Sequence, residues 1–327
     1  MADRAGDSTM KRTESERAPT VRRQRFSWKL VKRQRELILL TIPFLIYTFI
    51  FNYTPLFGWI MAFQNYSPVK GFLGSEWIGF EKFRFLFVGN REFLKVLRNT
   101  LCMSVINLSL STFCAITFAL LVNEIMHKTS KRIAQTISYL PHFLSWIVVC
   151  GIVKEVLSVE NGIVNELLVF LHLIPEPVNW FTKPALFWWI TALTNVWKET
   201  GWNSIIYLAA ITAINPELCE AAAIDGAGKL GRIWHIILPG IRPTIVILLI
   251  MSIGGILNAG FEMQYLLSNS LLRDVSQTVD IYVLNYGISQ NDFSLGTAAG
   301  MFKSVVSILL IFMANSLAKA VGEERLF

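Results

Sequence analysis

The sequence predicts an all-α membrane protein with six membrane-spanning helices. Of its 327 residues, 53% are hydrophobic and only 16% are charged, whereas a soluble domain carries about 25% charged residues. A helix needs about 20 mostly apolar residues to cross a bilayer. Six stretches reach that length: residues 37–60, 99–122, 136–157, 185–213, 241–262 and 298–320. Backbone groups in lipid must pair within the chain, and these stretches are too long for barrel strands, so each is predicted to be a helix.

A basic segment, residues 1–36, precedes the first span and holds eleven Lys and Arg. Such a run is typical of nucleic-acid or anionic-lipid binding, and also of a cytoplasmic tail that orients the first helix. Because a hydrophobic span follows directly, we interpret it as a tail and expect no nucleic-acid partner. The basic region is too long for a signal peptide, and no small-residue cleavage site follows it. The predicted division is therefore a tail, 1–36, and a membrane domain, 37–327.

The connecting segments predict the orientation, because cytoplasmic connections carry an excess of Lys and Arg. With the N-terminus inside, the basic tail, residues 123–135, residues 214–240 and the C-terminal tail face the cytoplasm. These segments together hold more Lys and Arg than the three outer connections, residues 61–98, 158–184 and 263–297. Both termini are therefore predicted to be cytoplasmic, in a multi-pass protein that contacts the lipid bilayer along all six spans.

The fourth and fifth stretches carry the polar groups that stand out within the spans. Trp197 to Gly201 reads Trp-Lys-Glu-Thr-Gly, a polar run that interrupts the apolar sequence of the fourth span, which is still predicted to be one helix. In the fifth stretch, Asn258 and Glu262 are four residues apart, which predicts that they lie one turn apart on a single helix.

The polar segment 214–240 lies between two spans and is predicted to fold as two short helices. Pro216 and Glu217 are typical of a helix start, and Gly226 permits a sharp turn. Gly226 also opens a formal G-x-G-x-x-G pattern, which we attribute to chance because no strand precedes it. The segment resembles the EAA loop of ABC-importer permeases, a loop that docks on the ATPase subunit. The residues that this resemblance assigns to ATPase coupling are Glu220, Ala221, Ala222, Asp225, Gly226, Ile236, Leu238 and Pro239.

The resemblance extends to residues 131–152, 197–209 and 297–304. These segments are similar to the oligosaccharide branch of the sugar importers, with alginate importer permeases as the nearest group. The resemblance implies a type I importer permease of six helices in the bacterial cytoplasmic (inner) membrane. It also implies a second homologous permease, two ATPase subunits, an extracytoplasmic solute-binding protein and an oligosaccharide substrate, possibly an acidic one. ATP and Mg would belong to the ATPase subunits, and no cofactor is expected in this chain.

The substrate-pathway candidates combine this resemblance with the cost of polar groups in lipid. Ionisable residues inside a span are costly and mark functional sites. The candidates are Asn195, Lys198, Glu199, Trp202, Asn258 and Glu262. Asn195 and Trp202 would supply the amide and the aromatic face that a sugar needs. Alternatively, Lys198 and Glu199 pair with another helix or with the second permease.

Two other classes of membrane protein would require features that the sequence lacks. A secondary transporter needs internal inverted repeats and a coupling-ion site, and the sequence shows no repeat. A membrane-embedded enzyme needs clustered catalytic groups across the spans, and the sequence shows neither such a cluster nor a Walker A pattern. The four Cys and four His have no metal-ligand spacing, so no metal site is predicted.

Overall fold

The computed structural model describes residues 34–320, with side chains up to residue 318. The basic tail before residue 34 and the C-terminal tail after residue 320 lie outside the described residues. The described chain falls into two units, the first ending at Phe57 and the second beginning at Gly58. Each is almost entirely helical, which confirms the predicted all-α class.

The principal helices are joined by connections of unequal length, the longest of which contains a two-stranded ribbon. In chain order they are α1 (Arg35–Phe63), α2 (Arg91–Asn123), α3 (Lys128–Phe143), α4 (Trp146–Val156), α5 (Ile163–Phe170), α6 (Pro184–Thr212), α7 (Pro216–Ile224), α8 (Lys229–Gly254), α9 (Phe261–Leu267), α10 (Val279–Tyr282) and α11 (Phe293–Ala320). Wider, π-type turns continue α10 over Val283–Ser289. A two-stranded antiparallel ribbon pairs β1 (Gln64–Asn65) with β2 (Glu76–Trp77).

Four helices, α1, α2, α8 and α11, are long and apolar enough to cross a membrane. Two bent pairs meet the same criterion when each pair is taken as one span. These pairs are α3 with α4, bent by 104°, and α6 with α7, bent by 71°. The described chain therefore offers four to six spans, and the predicted six corresponds to counting both pairs.

The third predicted span is not a straight helix, because the chain breaks between Phe143 and Trp146. Pro141 has no N–H to continue the ladder, and Leu144 takes an extended conformation with ψ of 142°. Ser145 then begins α4 as its N-cap, and its Oγ accepts the Val148 N–H at 3.4 Å. A proline followed by a capping serine is a helix end and a new helix start.

The polar run in the fourth span does not interrupt the helix, because α6 continues through Lys198 and Glu199. These two side chains form an ion pair at 3.2 Å. Their charges are thus compensated by side chains, and the helix does not have to unwind around them.

The fifth predicted span ends early, because α8 stops at Gly254. Asn258 lies in the connection that follows, and Glu262 belongs to α9. The prediction that these two residues share one helix is therefore wrong. Two consecutive glycines end α8, and Gly260 takes a left-handed conformation with φ of +87° that favours glycine.

The second unit is held together around α2 and α6. On one side of the unit, Phe93, Val96, Tyr282 and Ala298 are core members, and the Thr100 Oγ1 accepts the Val279 N–H at 3.0 Å. Further along α2 and α6, another core gathers Ala115, Ala119, Tyr207, Ile211, Ile237 and Ile241. The second of these cores joins the 214–240 segment to α2 and α6, and its Tyr207 also lines a polar cavity.

Candidate translocation cavity and coupling loop

A polar cavity of about 310 Å³ lies among α2, α4, α6, α8 and the connection after α8. Its polar wall consists of amides and hydroxyls: Ser104, Asn107, Ser111, Thr112, Asn195, Asn203, Tyr207, Ser252 and Asn258. Trp146 supplies an aromatic face. Among the described residues that line it, none is charged. A wall of neutral donors and acceptors beside an aromatic ring suits a hydroxyl-rich ligand.

Two atoms of this wall have unused hydrogen-bonding capacity. Within the described chain, Ser104 Oγ and Asn107 Oδ1 are buried and have no hydrogen-bond partner. Across the same wall, the Asn203 amide donates to Ser111 Oγ at 3.3 Å. Buried polar atoms are nearly always satisfied, so these two side chains have a hydrogen-bonding capacity that the described chain does not use.

The cavity brings together two of the six predicted pathway residues. Asn195 and Asn258 line it, whereas Lys198, Glu199, Trp202 and Glu262 do not. The roles predicted for all six remain predictions. Sequence reasoning missed the α2 contribution, although Ser104, Asn107 and Ser111 recur at helical spacing inside an apolar stretch, which is a detectable signal.

Lys198 and Glu199 contact the break in the third span. The Lys198 ammonium is buried and donates to the His142 carbonyl at 2.6 Å. The Glu199 carboxylate lies 2.7 Å from Nδ1 of the same His142. Trp202 stacks on the His142 ring, with centroids 4.3 Å apart and planes 3° from parallel. These side chains therefore form one cluster around His142, and none of them lines the cavity.

The 214–240 segment forms a helix, a turn and a second helix. Asn215 caps α7 by accepting the Glu217 N–H at 3.1 Å, and Pro216 occupies the first turn. Gly226 makes the turn with φ of +83°. The second helix is not short as expected, since α8 runs on through Pro239 to Gly254. Wider turns over Ile233–Ile237 precede Pro239, where the missing N–H removes one ladder bond.

The loop is attached to the spans on one side and exposed on the other. Ile237 and Ile241 pack with Tyr207 and Ile211, and Lys229 pairs at 3.2 Å with Glu124, the residue directly after α2. Glu220, Ala221, Asp225, Gly226 and Pro239 are exposed, and Ala222, Ile236 and Leu238 are half-buried. Large apolar side chains are exposed beside them: Leu218, Ile224, Leu230 and Trp234. Ile224 is 88% exposed, which is unusual for an isolated surface but suits a docking surface.

Metal chemistry has no visible site in the described chain. No group of three or more His, Cys, Asp or Glu side chains within residues 34–320 is placed to hold an ion.

Comparison with known proteins defines the class. The family model of the inner membrane component of binding-protein-dependent transport systems matches residues 108–323. The chain belongs to this family. It is therefore the permease component of a transport system and not an enzyme, and the resemblance to ABC-importer permeases is confirmed.

Individual relatives are similar over almost the whole chain. Protein LplB of Bacillus subtilis (strain 168) is 44% identical over 302 residues, 92% of this chain and 94% of that protein. The polygalacturonan/rhamnogalacturonan transport system permease protein YteP of the same organism is 44% identical over 306 residues, 94% of each chain. A chain of the bacterial alginate ABC transporter, solved with an alginate pentasaccharide-bound periplasmic protein, is 36% identical. It has a TM-score of 0.83 and covers 91% of this chain and 99% of its own length.

Proposed function

We propose that this chain is one permease of an ATP-driven importer for an oligosaccharide, and that its cargo is an acidic, uronate-containing one. In this proposal a second homologous permease completes the pathway, and two ATPase subunits supply the energy. An extracytoplasmic solute-binding protein delivers the cargo. The permease then alternates between outward-open and inward-open states, with both termini and the 214–240 loop in the cytoplasm.

The polar cavity is the observation that carries the cargo assignment. Its neutral amides and hydroxyls hydrogen-bond to sugar hydroxyls, and their N–H and O–H groups also donate to a carboxylate. Trp146 supplies an apolar ring face against which a sugar ring can pack. The names of two similar proteins support the acidic class, because polygalacturonan and alginate are both uronate polymers. Lys198 is not needed for this recognition, since it lies outside the cavity wall.

The coupling assignment rests on the exposed side of the loop. The apolar side chains Leu218, Ile224, Leu230 and Trp234 flank the residues of the EAA-like pattern. In the proposed complex this surface docks on the ATPase subunit. Because Ile237 and Ile241 join the loop to the core of α2 and α6, movement of the docked loop is transmitted to two helices of the cavity wall.

The cargo assignment is tested with Asn107→Leu, matched by Asn123→Leu on the same helix. Asn107 lines the cavity, and Asn123 is the last residue of α2, outside it. A neutral hydrogen bond contributes about 0.5–1.5 kcal/mol, so uptake of a uronate oligosaccharide should fall about two- to twelvefold in the first variant. The Asn123→Leu complex should transport at the wild-type rate.

The assay uses the full complex in liposomes with a uronate oligosaccharide and a neutral one of equal length. If the wild-type complex takes up the neutral sugar but not the uronate oligosaccharide, the acidic cargo is refuted and the role as a sugar importer remains. Uptake without ATP would point to the secondary-transporter alternative. Equal rates for both asparagine variants would remove the cavity from the pathway.

A further inference from the structure

The break in the third span leaves backbone carbonyls without helical partners inside the membrane region. The last four carbonyls of any helix lack an intrahelical donor, and α3 ends at Phe143. An unsatisfied carbonyl is costly where water is scarce. One of these carbonyls, that of His142, accepts a hydrogen bond from the Lys198 ammonium at 2.6 Å. Lys198 thus caps a helix to which it does not belong.

The positive charge of the Lys198 cap is compensated by residues of the same cluster. Glu199 Oε1 lies 3.2 Å from the Lys198 ammonium, and Glu199 Oε2 lies 2.7 Å from His142 Nδ1. The three residues therefore form a closed cycle in which each residue contacts the other two. The Lys198 side chain is only 5% exposed. A positive charge at a helix C-terminus is also favoured by the helix dipole.

The Lys198 ammonium also contacts Trp146, a residue of the cavity wall. It lies 5.1 Å from the centroid of the Trp146 ring, which is within the range of a cation–π contact. Trp146 is the first residue of α4, on the far side of the break from His142. Lys198 therefore contacts both helix ends that meet at the break, and one of them carries the aromatic face of the cavity.

We propose that Lys198 is a positioning residue for transport: it caps α3, holds the bend between α3 and α4, and so places Trp146 in the wall of the cargo cavity. This role rests on the proposed function of that cavity. Lys198 contacts no cargo; its effect on cargo passes through Trp146. Glu199 and His142 keep the ammonium in place by compensating its charge.

The test separates a positioning role from a purely structural one. Lys198→Met leaves Glu199 without its cationic partner, whereas Lys198→Met combined with Glu199→Gln removes both charges. The single variant should melt at a lower temperature, and the double variant should recover only the part of that loss that comes from the unpaired Glu199 charge, because the His142 carbonyl still lacks its donor. Neither restores the cation–π contact with Trp146. The cation–π contact favours the conformer in which Trp146 lines the cavity by about two- to thirtyfold. Because both variants lose this contact, their apparent KM for uptake should be higher than that of the wild type by about that factor.

Lys303→Met is the matched control. Lys303 pairs with Asp280 at 2.5 Å and has a 16% exposed side chain, but it does not line the cavity. This variant should melt earlier at an unchanged apparent KM. If the double variant at positions 198 and 199 regains both the melting temperature and the wild-type KM, neither the bend nor the placing of Trp146 depends on Lys198 and the proposal is overturned.

A second measurement examines the break without any cargo. Leu144 lies at the break and is half-buried. A cysteine at position 144, in a complex whose four native cysteines have been replaced, should react faster with a small thiol reagent when Lys198→Met is added. Unchanged labelling would overturn the cap. Faster labelling with an unchanged KM would overturn the positioning of Trp146. Failure of the cavity assignment is recognised separately, by Asn107→Leu transporting normally.

Discussion

Replacing Gly201 by alanine tests the close approach of α6 to α3. A Cβ at Gly201 would collide with the carbonyl group of Ser138, and with the Ser138 side chain at 3.0 Å. The carbonyl is helix backbone and cannot turn aside as a flexible side chain would. Gly201 also lies one turn or less from Lys198, Glu199 and Trp202. The glycine therefore permits the contact through which α6 reaches the break in the third span.

The loss of stability expected for Gly201→Ala is the difference between two opposing effects. Overpacking a well-packed site costs about 1–3 kcal/mol, and overlap with backbone places this case near the upper end. Alanine recovers about 1 kcal/mol relative to glycine in a helix interior. The net loss is about 2 kcal/mol. At about 2–4 °C per kcal/mol for a large domain, Gly201→Ala should lower the melting temperature by about 4–8 °C.

Gly151→Ala is the control, because it has the opposite expected sign. Gly151 is helical and exposed in α4, and a Cβ there meets no atom within 4 Å. This variant should melt at or slightly above the wild-type temperature. Both are measured by thermal unfolding of the purified complex in one detergent. A Gly201→Ala complex that melts no earlier than Gly151→Ala would show that α6 and α3 are not in backbone contact.

Two further predictions concern the loop and an outer connection. Glu220→Lys and Gly226→Val should each lower co-purification of the ATPase subunits and transport-stimulated ATP hydrolysis. Gly226→Val acts through the backbone, because a β-branched residue is strained at φ of +83°. Normal co-purification and normal ATP hydrolysis in both variants would remove the docking role. Burial, and then the hydrogen bond and charge of Glu92, raise the pKa of Tyr286 to about 12. The folded protein therefore retains this proton where the unfolded chain loses it, so stability should fall from about pH 10 to about pH 12. Tyr286→Phe should make that decline shallower in unfolding measured against pH, and an identical slope would contradict the burial argument.

The sequence predicted correctly those helices whose formation depends only on the length of an apolar run. The apolar runs that became α1, α2 and α11 were recognised by length, since lipid requires helices of about 20 residues. The loop was predicted by local chemistry, because Pro216 and Gly226 act on their own backbone. The bend at Leu144 and the end of α8 at Gly254 were missed. A continuous apolar run does not reveal where a helix inside it stops.

The sequence by itself determined the membrane class, the family and the turn at Gly226, because hydrophobic length and residue spacing are properties of the chain alone. Only the tertiary structure decided which polar residues share a surface. Asn195 and Lys198 are three residues apart on α6, yet the first lines the cavity and the second caps the broken third span. The difference arises because a charge buried among helices must be paired or hydrogen-bonded. Lys198 has Glu199 beside it on the same helix, and packing between distant segments decides its other partner, His142.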